Sequence, residues 1–473
     1  MRTILPLAVL LGVLAGCTAS VSSVSPNSVA AGGPPFSLTV LGKGFTEESA
    51  VQWNGAKRAT TFVSATELLA QINAADIAAT GSASVTVSNP FPSGGTSSTG
   101  SNAETISIVA PSIDATDFQT DPAHDGAVTF ASVSFPAKAT WRVSLGAGAP
   151  SNLVIADDRV FLTIGTSAGS ELLALTQATG ATAWGPKAIA GVAAGSAGVA
   201  YDNGRVFVAD NESGASSIYA YDAGTGALDW SATLDAGPAG APTATDGLVY
   251  VVVTGSATLY ALDESTGTVS WQQPLSTAGG MAAVSADGVY VTATSTGCYT
   301  FDFRPATGEV IWSSADGIGL CPQTTGTTPI VANQLVYSPS SSGTAIFAAE
   351  TGGSSGTLAD SLPAAFTTNM AYFPEGPNLD AVTLSDGTVA WTFNGNGSAL
   401  TALPIVVNQY VITGSTAGSV YALDGTSGKT LWTQTSGGEV TQLAAGDGLL
   451  LVLNETNSDS GGTLTAYTLS ASP

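Results

Sequence analysis

Along residues 21–92 apolar and polar positions alternate in short runs and nowhere adopt a helical period. Phe36–Leu41, Ala50–Trp53, Thr60–Val63, Leu68–Ile72 and Ser82–Val87 each read as a strand with one buried face, with Gly and Pro between them. Short strands at this spacing predict a small β-sandwich over 23–92. Residues 93–107 (SGGTSSTGSNAETIS) are rich in Gly, Ser and Thr and read as a flexible linker. Residues 108–137 carry no clear pattern, so 93–137 is expected to be a linker and an irregular lead-in that wraps the next domain.

From 138 to 473 the alternation acquires a period. The clearest units are YAYDAGTGALDW (219–230), YALDESTGTVSW (260–271) and YALDGTSGKTLW (421–432). Trp141, Trp184, Trp230, Trp271, Trp312, Trp391 and Trp432 are spaced by 43, 46, 41, 41, 79 and 41 residues. The gap of 79 spans two periods, and FAAETGGSSGTL (347–358) is a copy between them that has lost its Trp. Each period holds four short strands. Its Asp caps turn amides, and its Thr-Gly takes a turn that needs positive φ. Four-stranded units at this period are propeller blades, each covering the apolar face of the next. The last unit supplies three strands and stops, whereas ATWRVSL (139–145) is a Trp strand without predecessors. Joining the two closes a ring, which gives eight blades, with seven as the alternative because the unit at 359–393 is short. The fold class is therefore all-β: a small sandwich followed by a β-propeller.

The N-terminus has another pattern. Arg2 precedes an apolar run from Ile4 to Ala15, too short to span a bilayer stably and followed by small residues, as in a secretory signal. Leu14-Ala15-Gly16-Cys17 resembles the bacterial lipobox. That resemblance implies removal of a signal peptide at 1–16, lipidation of Cys17, a tether over 17–22 and anchoring to a membrane, since each buried methylene contributes about 0.8 kcal/mol. Thr18 in place of Asp implies the outer membrane under the enterobacterial sorting rule. An exported chain meets an oxidising compartment, so the remaining pair, Cys298 and Cys321, suggests a disulfide. It would close a loop of about 24 residues, worth about 3 kcal/mol on the chain-entropy argument.

Composition narrows the chemistry. Charged residues are 10% of the chain, with 11 Lys and Arg against 35 Asp and Glu and a net charge of −24. So few scattered cations build no surface for nucleic acid. His124 is the one histidine. A multi-histidine metal site is therefore excluded and histidine-based catalysis is disfavoured. The acids that can be placed, Asp222, Asp263 and Asp424, fall at repeat-equivalent turns, whereas a catalytic base should break the repeat. Asn454–Ser460 (NETNSDS) is oxygen-rich but reads as a solvated loop rather than a calcium site.

Two family resemblances add to this reading. SVSPNSVAAGGPPFSLTVLGKGFTEESAVQWNG (23–55) and SASVTVSNP (82–90) look like an IPT/TIG domain, an immunoglobulin-like sandwich, with Gly42, Gly44 and Phe45 at its GxGF turn. Such domains imply a spacer or interaction module, and Trp53 is expected in its core. The A-x-D-x-x-T-G-x-x-x-W pattern resembles the PQQ-like repeat. The resemblance implies that the seven tryptophans are structural, stacking between blades and docking the indole nitrogen on backbone. Quinoprotein dehydrogenases of that family hold pyrroloquinoline quinone and calcium in the propeller centre, beneath an adjacent Cys-Cys disulfide; this chain has no such Cys pair. The lipid-anchored, eight-bladed scaffold of the outer-membrane β-barrel assembly machine is similar in architecture, without a sandwich. The expectation is a non-catalytic, monomeric scaffold or binding protein of the bacterial cell envelope, without cofactor or metal, anchored to the outer membrane by lipid and holding a protein partner. A surface glycan-binding or adhesion module with a polysaccharide partner is the alternative, and a quinone-dependent oxidoreductase is the least favoured reading.

Overall fold

The computed structural model describes residues 19–25, 28–30, 35–79, 81–89, 99–109, 114–130, 133–166, 169–189, 198–210, 214–276, 280–294, 297–315, 328–340, 343–360, 362–455 and 462–469. They fall into two compact units, Met1–Ser112 and Ile113–Pro473.

The first unit is a sandwich. One sheet orders the strands Ser20–Ser25, Phe36–Lys43, Glu67–Ile72 and Thr60–Ser64. The other orders Ser28–Ala30, Glu104–Val109, Gly81–Asn89, Ala50–Trp53 and Ala56–Lys57, with Thr99–Gly100 beside Gly81–Asn89. Alternate residues of each strand point between the sheets, so Leu38, Val40 and Leu68 meet Val51, Val85 and Ile106. Trp53 is buried and packs edge-on against Phe36, ring centres 6.4 Å apart. At the GxGF turn Gly44 has φ 76°, and a Cβ on Gly42 would lie 2.5 Å from the Phe45 ring.

Two expected boundaries are corrected. The linker gives way at Glu104–Val109, which pairs antiparallel with Gly81–Asn89 and parallel with Ser28–Ala30. Ile106 and Ile108 alternate with hydroxyl residues and fill the core, a pattern that the Gly/Ser-rich residues before them obscured. The tether over 17–22 likewise loses its second half. Ser20–Ser25 is a strand, and Ala19 and Val21 are buried in the sandwich. Cys17 lies outside the described residues.

Among the described residues the second unit holds eight sheets, each with a four-strand path from axis to rim, built from consecutive strands in seven cases. The exception orders Glu439–Gly446, Leu449–Glu455, Gly462–Thr468 and Lys138–Ser144, so both ends of the unit share one sheet. The innermost strand Val154–Ala156 neighbours both Val199–Asp202 and Glu439–Gly446, which closes the series on itself.

The repeat's letters explain how adjacent sheets join. Trp184 Nε1 donates to Ala223 O at 2.8 Å, in the turn of the following sheet. Trp141, Trp230, Trp271, Trp312 and Trp391 do the same to Gln177, Glu264, Pro305, Ala349 and Gly425. The turn glycine lies on the indole face. Gly226 has φ 66°, and a Cβ there would meet Trp184 Cε3 at 2.5 Å. Glycine is thus required twice, for its backbone angle and for the absent side chain. The turn Asp accepts from the same turn: Asp222 Oδ1 takes Thr225 N–H at 2.8 Å and its hydroxyl at 2.6 Å.

Two junctions depart from this plan. In the copy without Trp, Leu358 fills the space, and a Cβ on Gly387 would meet only its Cδ2, at 3.6 Å. Trp432 faces the sheet in which the chain ends meet, where no such turn exists. There Phe135 stacks on its indole at 5.8 Å and Tyr467 packs edge-on at 5.3 Å.

Candidate functional site

Within the lead-in, residues 114–130 run around the propeller's axis, while Val133, Phe135 and Ala137 pack against its last sheets. Ala115 exchanges two backbone hydrogen bonds with Ile155, at 2.7 and 2.9 Å. Thr116 O then accepts from Tyr201 N, Asp117 Oδ2 from Ala244 N, Pro122 O from Val284 N, Ala123 O from Val331 N, Asp125 O from Phe366 N and Gly126 O from Val406 N. Each donor belongs to the innermost strand of a successive sheet. The eighth inner strand approaches so closely that a Cβ on Gly446 would lie 2.9 Å from Ala115 N. This strap satisfies inner-edge donors that would otherwise face the axis. It needs left-handed backbone at Gln119, Thr120, His124 and Gly126 to turn tightly enough.

The strap forms one wall of an axial cavity of about 350 Å³. Phe118, Gln119 and Thr120 line it together with Ser151–Leu153, Leu403, Ile405 and Thr441–Ala444 from the innermost strands and their approaches. Its polar groups are mostly engaged. Asn152 bridges Val199 through both N–H and C=O, Gln442 Nε2 donates to Pro150 O and Gln119 Nε2 donates to Ala364 O. Gln119 Oε1 is buried with no partner.

Beside the cavity lies the chain's one histidine. His124 has no exposed surface, its Nε2 is 3.7 Å from Asp117 Oδ1, and its ring packs edge-on against Phe118 at 5.7 Å. Burial raises the carboxyl of Asp117 despite the neighbouring histidine. Burial also pushes Asp121 up to about 6 and, with the field of Asp121, raises Asp125 well above the usual range. These acids are on the strap, outside the repeat, and sequence reasoning missed them. A lone histidine invited dismissal, and the contacts that hold the strap are mostly backbone. Asp302 is a second omission. It stands opposite Trp312 where the other sheets put Ala220, Ala261, Ala381 and Ala422 opposite their tryptophans. It is buried, and burial lifts its carboxyl to about 8.

The residues singled out in the sequence are not brought together. The tryptophans lie one to a junction around the ring, and Asp222, Asp263 and Asp424 cap exposed turns, where hydrogen bonds from neighbouring hydroxyls hold their carboxyls below the ordinary range. Cys298 opens a strand and is buried, whereas Cys321 lies outside the described residues, as does most of the Asn454–Ser460 tip.

A quinone with three carboxylates can be tested against the axis. Among the described residues the cavity lining contains no Lys or Arg, and its one ionisable group, Asp117, is itself an acid. An anion placed there would be desolvated without a counter-charge. The lining therefore does not fit that cofactor.

Comparisons with known proteins agree with the fold. The family model described as outer membrane protein assembly factor BamB matches residues 168–359 and 376–471, and the IPT/TIG domain model matches 19–119. Among solved structures, BamB from Moraxella catarrhalis is 18% identical with a TM-score of 0.52, covering 70% of this chain and 99% of that one. A europium-containing methanol dehydrogenase is 13% identical with a TM-score of 0.60, covering 75% and 98%. A quinohemoprotein alcohol dehydrogenase from Pseudomonas putida HK5 is 13% identical with a TM-score of 0.59, covering 76% and 81%. No curated protein matches.

Proposed function

Since the chain belongs to the family described as outer membrane protein assembly factor BamB, we propose that it is a non-catalytic scaffold of the bacterial envelope. It is anchored through Cys17 and binds another protein with its propeller, while the IPT/TIG domain acts as a spacer or second interaction module. A bridge between Cys298 and Cys321 belongs to the same reading, because it presumes export.

The observation that carries the proposal is the strap. Similar folds include both an assembly factor and quinone-type dehydrogenases, so the fold alone does not choose. The axis does favour one side. The protein's own chain lines the inner edges around it, and among the described residues the cavity beside the strap is lined by an acid and no Lys or Arg. Binding through the remaining surface of a rigid ring is the use this arrangement supports.

The test is cross-linking and affinity recovery of the full-length protein from its native membranes. Recovery of an outer-membrane barrel or its assembly factors is expected, and Cys17→Ser should release the protein to the soluble fraction. Retention on polysaccharide with no protein partner would move the function to glycan binding. Quinone-dependent dye reduction would overturn the non-catalytic reading.

A further inference from the structure

Among the described residues, the outer strand of each propeller sheet has no strand paired to its outer backbone edge. Natural proteins guard such edges against strand addition with charges and prolines. Here the guard covers only part of the rim. The outer strands Lys138–Ser144, Thr182–Ile189 and Leu228–Ala236 carry Lys138, Arg142, Pro186, Lys187, Asp229 and Asp235. The next five in ring order are Val269–Pro274 (VSWQQP), Val310–Ala315 (VIWSSA), Ser354–Leu358 (SSGTL), Val389–Phe393 (VAWTF) and Thr430–Thr435 (TLWTQT). They contain no Asp, Glu, Lys or Arg, and their only proline ends the first strand.

The same arc holds the exposed apolar groups. Val269, Val310, Ile311, Val389 and Leu431 are 39–52% exposed, and among the described residues of this unit only Leu228 joins them as an exposed large hydrophobic. Carboxylates outnumber cations at one end of these strands: Asp263, Glu309, Glu350, Asp386 and Asp424 lie in or just after the turns that lead into them, against Arg304, 3.7 Å from Glu309, and Lys429, just before Thr430. An unguarded edge with exposed aliphatic side chains and acid at one end is a template for an added strand of matching pattern.

We propose that this arc is a strand-addition surface. Its occupant is an extended segment of another protein, uncharged along its length with alternating aliphatic and hydroxyl residues, and carrying Lys or Arg at the end that lies over the acidic turns. A second copy of this chain is disfavoured as the occupant, because two chains of net charge −24 would have to meet through like-charged turns. The proposal rests on the protein-binding reading above and names the surface and chemistry that reading leaves open.

The probe is a synthetic peptide of alternating Thr and Val ending in two lysines, with a control in which prolines replace alternate valines. Amide hydrogen exchange of the full chain is followed with each. With the first peptide, exchange in Val269–Pro274, Val310–Ala315, Val389–Phe393 and Thr430–Thr435 should slow by about threefold or more, while Lys138–Ser144 and Thr182–Ile189 stay unchanged. The proline control should slow nothing, and the triple variant V269K/V310K/V389K should lose the effect while keeping the wild-type melting profile. Equal slowing on guarded and unguarded strands, no slowing anywhere, or a concentration-dependent dimer that itself protects the arc would each overturn the proposal. If the native partner is recovered equally by wild type and the triple variant, the arc is wrong and the scaffold reading stands; if neither recovers a protein partner, the scaffold reading fails.

Discussion

At the junctions between sheets, the contact is a side chain laid on backbone: Trp184 covers Gly226 and donates to Ala223 O. At the axis the contact is mainly backbone on backbone, as Pro122 O, Ala123 O, Asp125 O and Gly126 O take N–H groups from four consecutive inner strands. The first kind of contact selects particular residue types and repeats with the sheets, so it marks the sequence. The second accepts almost any residue that can trace the path and leaves hardly a mark. The ring is held by both, and the two should fail differently.

The largest effect is expected at the axis. Gly126 has φ 71°, and a Cβ there would meet Ala365 Cβ at 2.9 Å, against the inner strand that the strap holds. Gly126→Val adds a β-branched side chain to a left-handed position with no room for it. A loss of about 3–4 kcal/mol is expected from strain and overpacking together, read as a fall in the denaturation midpoint. An unchanged midpoint would mean that the strap is dispensable for the ring.

A junction should cost less, and two junctions give an internal control. Gly226→Ala forces a Cβ onto the Trp184 indole and adds left-handed strain, for about 2–3 kcal/mol. Gly387→Ala has nearly the same φ, 69°, but faces only Leu358 at 3.6 Å, so about 1 kcal/mol of backbone strain remains. Equal losses at the two sites would show that the glycine serves only its backbone angle and that the indole contact contributes nothing.

The same contrast explains what could be read in advance. The five strands expected in the sandwich all appear, because each alternates cleanly between Gly and Pro breaks. The junction letters Trp, Thr-Gly and Asp could be read because one geometry requires them at each turn. Leu358 falls where Trp stands only by counting letters. In the structure Gly356 takes the Trp register opposite Ile346. Leu358, two residues further on, fills the space, and only its position in the fold identifies it. The strap was hidden for a deeper reason. It neither repeats nor alternates, and its partners are up to hundreds of residues away in sequence. Asp302, by contrast, was legible: an acid at a position that reads Ala in the clearest copies is a break in the repeat.

That break gives the next prediction. Asp302 presents an acid in a buried site where other sheets carry a methyl group, and both its oxygens lack a hydrogen-bond partner of good geometry. Asp302→Ala removes the desolvated carboxyl, though it leaves a small void. A net gain of about 1 kcal/mol is expected, since an unsatisfied buried polar group costs about that or more. Chemical denaturation at pH 7 measures it. A loss of stability would assign Asp302 a partner or a use that its geometry does not reveal.

The smallest effect separates the buried acids from the exposed turn acids by pH. Asp121 on the strap is raised to about 6, and at the sheet junctions Glu264 is raised to about 7 and Asp302 to about 8, in each case chiefly by burial. A carboxyl raised on folding binds its proton more tightly in the folded state. Its contribution to stability is fully present below the unfolded value near 4 and is lost as pH rises through the folded one. The turn acids Asp222, Asp263 and Asp424 are lowered, so their contribution is present above the unfolded value and is lost only below about pH 4. The melting temperature should therefore rise by a few degrees as pH falls from 8 to about 5 and decline below about 4. Asp121→Asn should flatten the part of the slope near pH 6 and leave the acid limb unchanged. A melting temperature that is constant between pH 8 and 5 would mean that water reaches these carboxyls both on the strap and at the sheet junctions.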